Sequence, residues 1–391
     1  MDGVVTLLAE MVAVDSVKPA MSGRPLAEQA LVELLQRHAT DLGLAAQPLP
    51  VPGRAENLLV TCEKRAGGAW LLFECHLDTV GVEGMADDPF EARVSASGRR
   101  MHGRGTCDAK GAGAAMLWAL ATYASGAEGT NNVGLLFSVD EEVTRTGIDA
   151  FVSRHLPGLG WRPVAAVVGE PTDLGLVVAH KGGVRLTITT EGRAAHSSDP
   201  SRGRSAIAMM LPILEALETG YLPGISSSHP LTGPARGSIN LIRGGSAINV
   251  IPARCEVGLD RRVAPGEDPA EVVADIERLL DEVRERHPGS VVHVGAPVIH
   301  PALDPLVGAP FAAHVGTVLA TLGLDDCASG VGYGTHASTL SSVAGIPAVV
   351  LGPGSIQQAH GEDEWIDLAE VELAVGVYQA IMLAELPPEV E

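Results

Sequence analysis

At 391 residues the chain is longer than one ordinary core supports, so two domains are expected. Hydrophobic residues make up 46% and charged residues 19%, as in a water-soluble globular protein, while only 3% are aromatic, so the core must be built from Ala, Val, Leu and Ile. The net charge of -21 argues against nucleic acid and anionic membranes as partners, since both need clustered Lys and Arg; its simplest meaning is solubility.

Residues 4–15 and 25–42 have helical periodicity, and 56–62 and 70–74 read as strands. Residues 110–124 are rich in small apolar side chains, as suits a helix packed tightly on a sheet. A strand over 133–139, a helix over 146–155 and a strand over 165–168 follow. Strands that alternate with helices and are continuously apolar predict an α/β fold with a mostly parallel, buried central sheet. The pattern changes near His180. Residues 184–190 alternate like a half-exposed strand, 205–219 are helical despite Pro212, and 236–242 and 254–260 read as paired strands. Asp268-Pro269 opens an amphipathic helix to residue 286, and 290–294 is a strand. The order β-α-β-β-α-β is that of a ferredoxin-like α+β unit. The expected organisation is therefore a discontinuous domain, 1–179 and 297–391, with an inserted domain at 180–296.

Five cysteines, an odd number with no C-x-x-C pair, read as reduced thiols in the cytoplasm. The N-terminus lacks the basic segment of a secretory signal, and no apolar run reaches membrane-spanning length.

Acidic residues and histidines cluster where predicted strands end. The run 71–80 ends in His76-Leu77-Asp78, and the glycine-rich turn 103–111 carries Asp108. The run 135–142 ends in Glu141-Glu142, Val168-Gly169 leads to Glu170, and Pro353-Gly354-Ser355 leads to His360. Each has an ordinary reading when taken singly. Asp108 suits a turn, Glu141 and Glu142 suit a helix start, Glu170 before Pro171 suits the start of a loop, and His360 is one of 13 histidines. Together, imidazoles and carboxylates at the carboxyl ends of buried strands suit two zinc-like ions sharing a carboxylate. Cys75 and Cys107 adjoin two of these residues; they could add ligands, or point to the opposite side as strand neighbours do.

These segments, with Gly192-Arg193-Ala194-Ala195-His196-Ser197, Asn249-Val250-Ile251-Pro252 and residues 352–360, resemble one family in order and spacing over nearly the whole chain. It is the di-zinc amidohydrolase family of acetylornithine deacetylase, succinyl-diaminopimelate desuccinylase, aminoacylase and glutamate carboxypeptidase; residues 352–360 look most like acetylornithine deacetylase. The resemblance implies a zinc-peptidase-like catalytic domain whose inserted domain dimerises and acts as a lid. It implies two divalent ions, zinc or cobalt, with His76, Asp108 and Glu170 on one and Asp108, Glu142 and His360 on the other. Asp78 would orient the His76 ring, Glu141 would be the general base for a metal-activated water, and His196, from the neighbouring subunit of a homodimer, would steady the oxyanion. Arg262, Asn249, Gly334 and Thr335 would hold the substrate, an N-acyl amino acid or a dipeptide.

Three places depart from the family pattern, the first being Ala109 before Lys110, where the family often has Met, a difference of packing. Glu74-Cys75 stands before His76 where small residues are common, and His336 stands where an acidic residue is usual; His336 could read the substrate, add a ligand, or do neither. Lys181 could touch substrate or mark a hinge at Gly182-Gly183. Retention of every ligand and of Glu141 favours an enzyme over a ligand-binding homologue that has lost its chemistry.

Overall fold

Four parallel strands, Asn132–Ser138, Trp70–His76, Pro163–Val168 and Ala348–Val350 in that spatial order, form the centre of the computed structural model, which describes residues 3–387. Nearly every residue in them is buried, which is why their sequences are continuously apolar rather than alternating. Asn57–Cys62 and Ala45–Leu49 extend one side antiparallel, and Val177 pairs antiparallel with Val350 on the other. The sheet is thus parallel at its centre and antiparallel at its margins.

One face, including Leu71, Phe73, Cys75, Leu135 and Phe137, packs in a core with residues of helices Gly3–Val12, Gly111–Ser125 and Leu368–Leu383. Each fully buried Leu or Phe there contributes roughly 1.5–3 kcal/mol. Helix Gly111–Ser125 is rich in small residues because it lies close to the sheet. A Cβ on Gly113 would come within 3.2 Å of both Cys75 Sγ and the Phe137 ring. The opposite face carries Leu72, Glu74, His76, Leu136 and Ser138, set by the two-residue period of the strand.

The chain divides into two compact units. The larger comprises 1–178, 305–329 and 335–391, and the smaller 179–304 and 330–334. In the smaller unit the strands run in the order Arg236–Gly244, Arg254–Val263, Gly182–Glu191 and Val291–Val294, every neighbouring pair antiparallel. With helices Ala206–Ala216 and Pro269–Arg286 this is the ferredoxin-like arrangement. Arg254–Val263 alternates between buried positions and positions that are mostly half-buried; its inward Val257 and Leu259 share a core with Ile213, Ile276 and Leu280. Ser205 and Asp268 cap the two helices by accepting the amides of Ala208 and Ala270, at 3.2 and 2.8 Å. The smaller unit runs past residue 296 because Val298–His300 pairs with Gly183, Val184 and Arg185.

Candidate metal centre

The parallel strands bring several of the candidate ligands to one end of the sheet. His76 is the last residue of its strand and lies opposite Ser138, after which the neighbouring strand turns into Asp140-Glu141-Glu142; Glu170 follows Val168 on the other side. His76 is buried. Its Nε2 lies 3.0 Å from Asp108 Oδ1 and 3.8 Å from Glu170 Oε2. His360 Nε2 lies 3.2 Å from Asp108 Oδ2 and 3.0 Å from Glu142 Oε1. Two groups result, His76–Asp108–Glu170 and Asp108–Glu142–His360, each with ligand atoms within 4.8 Å of one another and both using Asp108.

The donor set fits a pair of divalent cations. Three carboxylates and two imidazoles are the ligand chemistry of zinc-like ions, and the shared aspartate offers one oxygen to each side. Electrostatics point the same way. Burial pushes the Glu170 carboxyl well above its ordinary range, and burial with the nearby Asp108 charge raises Glu142. Burial also opposes ionisation of Asp108, but hydrogen bonds with His360 and His76 outweigh it and hold that carboxyl below its usual range. His360 is pushed up to about 10 by its bonds to Asp108 and Glu142. Acids crowded in this way are relieved by positive charge placed among them.

Asp78 has more than one connection. Its backbone oxygen accepts from His76 Nδ1 at 3.0 Å, which turns Nε2 toward Asp108, while its carboxylate lies 3.6 Å from the same nitrogen. That carboxylate accepts the backbone N–H groups of Glu141 and Glu142 at 2.8 and 3.0 Å. One residue therefore sets the His76 ring and the turn bearing both glutamates. Arg145, which the sequence reading passed over, places Nη2 3.8 Å from Glu141 Oε1.

Two of the unusual positions noted in the sequence prove to be partners. Glu74 Oε1 accepts from Ser138 Oγ at 2.6 Å and from His336 Nδ1 at 2.9 Å, and all three residues are buried. His336 is fully buried beside the sheet, as is Thr335, whose Oγ1 accepts the Ala337 amide. Cys75 Sγ donates to Ala109 O and Cys107 Sγ to Ser355 O, and neither cysteine belongs to a ligand group.

His196, Asn249, Arg262 and Gly334 belong to the smaller unit. There the two segments singled out by sequence meet: Ala195–His196 pairs with Val250–Ile251, and Ser197 N–H donates to Asn249 O at 3.0 Å. His196 is exposed, with Nδ1 2.7 Å from Ser198 Oγ. Arg262 is half-exposed, with Nε 3.0 Å from Asp260 Oδ1. Lys181 Nζ donates to Pro234 O at 2.7 Å.

The family model for peptidase family M20/M25/M40 matches residues 72–384. The chain belongs to this family. An acetylornithine deacetylase of Yersinia pseudotuberculosis is 33% identical over 383 residues, covering 94% of each chain. Among solved structures, an M20 family metallo-carboxypeptidase from Sulfolobus solfataricus matches with a TM-score of 0.78 at 16% identity, over 98% of this chain and 99% of that one. A dinuclear metal-binding M20 peptidase from Bacillus subtilis matches with a TM-score of 0.69 at 15% identity, over 98% of each chain. This M20 protein is a hydrolase of the metallopeptidase and amidohydrolase type. No helix among its described residues is long and apolar enough to cross a membrane.

Proposed function

We propose that this M20 enzyme hydrolyses the amide bond of an N-acyl amino acid, with N-acetyl-ornithine the first substrate. The observation that carries the reading is the pair of ligand groups joined at Asp108, with Glu141 beside the ligand Glu142 on a turn held by Asp78. The substrate follows the deacetylase relative, similar over 94% of the chain.

His76, Asp108 and Glu170 hold one divalent ion and Asp108, Glu142 and His360 the other, zinc by preference and cobalt as the alternative. Such ions, when bound, polarise the amide carbonyl and make a water acidic enough to attack at neutral pH. Glu141 takes the proton from the attacking water and returns it to the departing amine. His196, contributed by the neighbouring subunit of a homodimer, donates through Nε2 to the developing oxyanion, its Nδ1 being turned to Ser198. Arg262, with Asn249 and Gly334, holds the substrate carboxylate and carbonyl, while the buried Thr335 backs this segment from the core side. The smaller unit acts as a lid and as the contact of a homodimer. Five unpaired thiols suit the cytoplasm.

The test is amine release from N-acetyl-ornithine by protein stripped of metal and reloaded with zinc or cobalt. Succinyl-diaminopimelate, a dipeptide and an acyl-glutamate are run beside it. Metal-dependent turnover of N-acetyl-ornithine is expected, and Glu141→Gln should keep both ions while turnover drops by about 10²–10⁴-fold. Unchanged turnover in that variant removes Glu141 as the base. Turnover of another substrate alone keeps the reaction and replaces the substrate. Two bound ions with no turnover on any of them would leave a ligand-binding homologue.

A further inference from the structure

We propose that Arg104 and Glu364 form a buried clip that presets the second metal position by locking the turn that carries Asp108 to the loop that carries His360. The inference rests on the two-ion reading above and concerns how that site is held. Asp108 and His360 come from distant parts of the sequence, and His360 lies in the irregular stretch between Val350 and Trp365, with its backbone at φ 60°. No sheet hydrogen bonds fix that residue's position, so other contacts must.

Arg104 is 2% exposed and its guanidinium reaches three acceptors. Nε donates to Gly81 O at 2.9 Å, Nη1 to Glu364 Oε2 at 2.7 Å, and Nη2 to Gly361 O at 3.2 Å. Gly361 is the residue immediately after His360. Glu364, 1% exposed, spends its carboxylate on the Asp108 turn. Oε2 accepts the Gly105 amide at 3.0 Å, and Oε1 accepts those of Cys107 and Asp108 at 2.9 and 3.1 Å. Gly103 N–H closes the join by donating to Glu364 O at 3.0 Å. One carboxylate thus holds the backbone of the shared ligand, and the guanidinium paired with it holds the backbone beside His360.

Stability alone does not call for this arrangement, because a buried ion pair costs desolvation that an apolar pair avoids. What an apolar pair cannot do is accept three converging amides while donating to two carbonyls from separate loops. The clip also grips Gly81, in the loop that follows Asp78. It therefore positions the ligands without touching a metal ion or substrate, and removing Arg104, which leaves the Glu364 bonds to the Asp108 turn in place, should cost metal affinity on the His360 side first.

The experiment is stepwise Zn²⁺ binding to the metal-free full chain, followed by chelator competition, with unfolding temperature measured alongside. His360→Ala identifies the step that belongs to the His360 side. Tyr123→Phe serves as a control, since it removes a buried 2.7 Å hydrogen bond to Asn131 O near the opposite ends of the parallel strands. Arg104→Met is expected to weaken the His360-side step by about 10–100-fold. The other step should change less than threefold and Tyr123→Phe should leave both steps intact. If Arg104→Met does not fold, Arg104→Lys carries the test; it keeps the charge but cannot reach three acceptors, and should give a smaller loss in the same step. Equal weakening of both steps, no weakening of either, or the same loss in Tyr123→Phe overturns the clip while leaving the two-ion reading in place. A wild-type chain that binds only one Zn²⁺ overturns both.

Discussion

His76, Asp108 and Glu170 form a buried group, with His76 on a strand end and Glu170 two residues beyond another, whereas Glu142 and His360 reach Asp108 from a turn and an irregular loop, and the His360 side chain is 51% exposed. His76 and Glu170 inherit their positions from parallel strands whose register is set by backbone hydrogen bonds, while Asp108, common to both groups, sits on a turn. The second is assembled from side-chain-to-backbone bonds, with Asp78 holding the Glu141-Glu142 turn and Arg104 with Glu364 holding the Asp108 turn and Gly361. For a candidate ligand at a strand end the sheet sets the backbone, and Asp78 has only the His76 ring left to turn. For candidate ligands on turns and loops, buried polar side chains such as Asp78, Arg104 and Glu364 hold the backbone as well.

The sharpest way to break this comparison is to remove what the two groups share. Asp108→Asn should cost both ions and essentially all turnover, read as metal content after dialysis together with amine release. Retention of one tightly held ion would show that the groups do not depend on a common carboxylate.

A smaller and asymmetric effect is expected from the histidines. His76→Ala and His360→Ala should each lose one ion and keep the other. The folded metal-free protein should lose more stability from His76→Ala, because that ring is buried and His360 is half-exposed. Equal losses in thermal unfolding would remove the distinction between the two sides.

The smallest effect concerns a buried acid outside both groups. Glu28 is fully buried, neither carboxyl oxygen has a hydrogen-bond partner among the described residues, and burial, reinforced by the Asp78 charge, pushes its pKa from 4.5 up to about 8. Below 4.5 it is neutral in folded and unfolded chains alike. Between 4.5 and about 8 the unfolded chain gives up the proton first, so this group's contribution to stability falls as pH rises, and the loss is complete above about 8. Glu28→Gln should therefore unfold at nearly the wild-type temperature at pH 5 and progressively above it toward pH 8. A difference that does not vary with pH would mean that Glu28 does not stay protonated in the folded chain.

Much of the fold was legible in the sequence. Continuous apolar runs marked the parallel strands, their carboxyl ends marked the candidate ligands that the fold brings together, and Ser205 and Asp268 marked helix starts. These are local signals, since period and capping act within one turn or one strand. The strand Ala45–Leu49 was missed because Pro48 weakens a strand pattern and is tolerated only at a sheet margin, which is where this strand lies. Val298–His300 was missed because three residues carry no period; pairing with the Gly182–Glu191 strand makes them a strand.

By itself, the sequence determined the α/β class and the ferredoxin-like order of the smaller unit, and its family resemblance singled out five candidate metal ligands. Only the tertiary structure decided that Glu74 and His336 answer each other, that Asp78 pins the glutamate turn as well as the His76 ring, and that Arg104 meets Glu364. A buried polar side chain must find a partner, and that partner is named by its position in the folded molecule rather than by its distance along the chain.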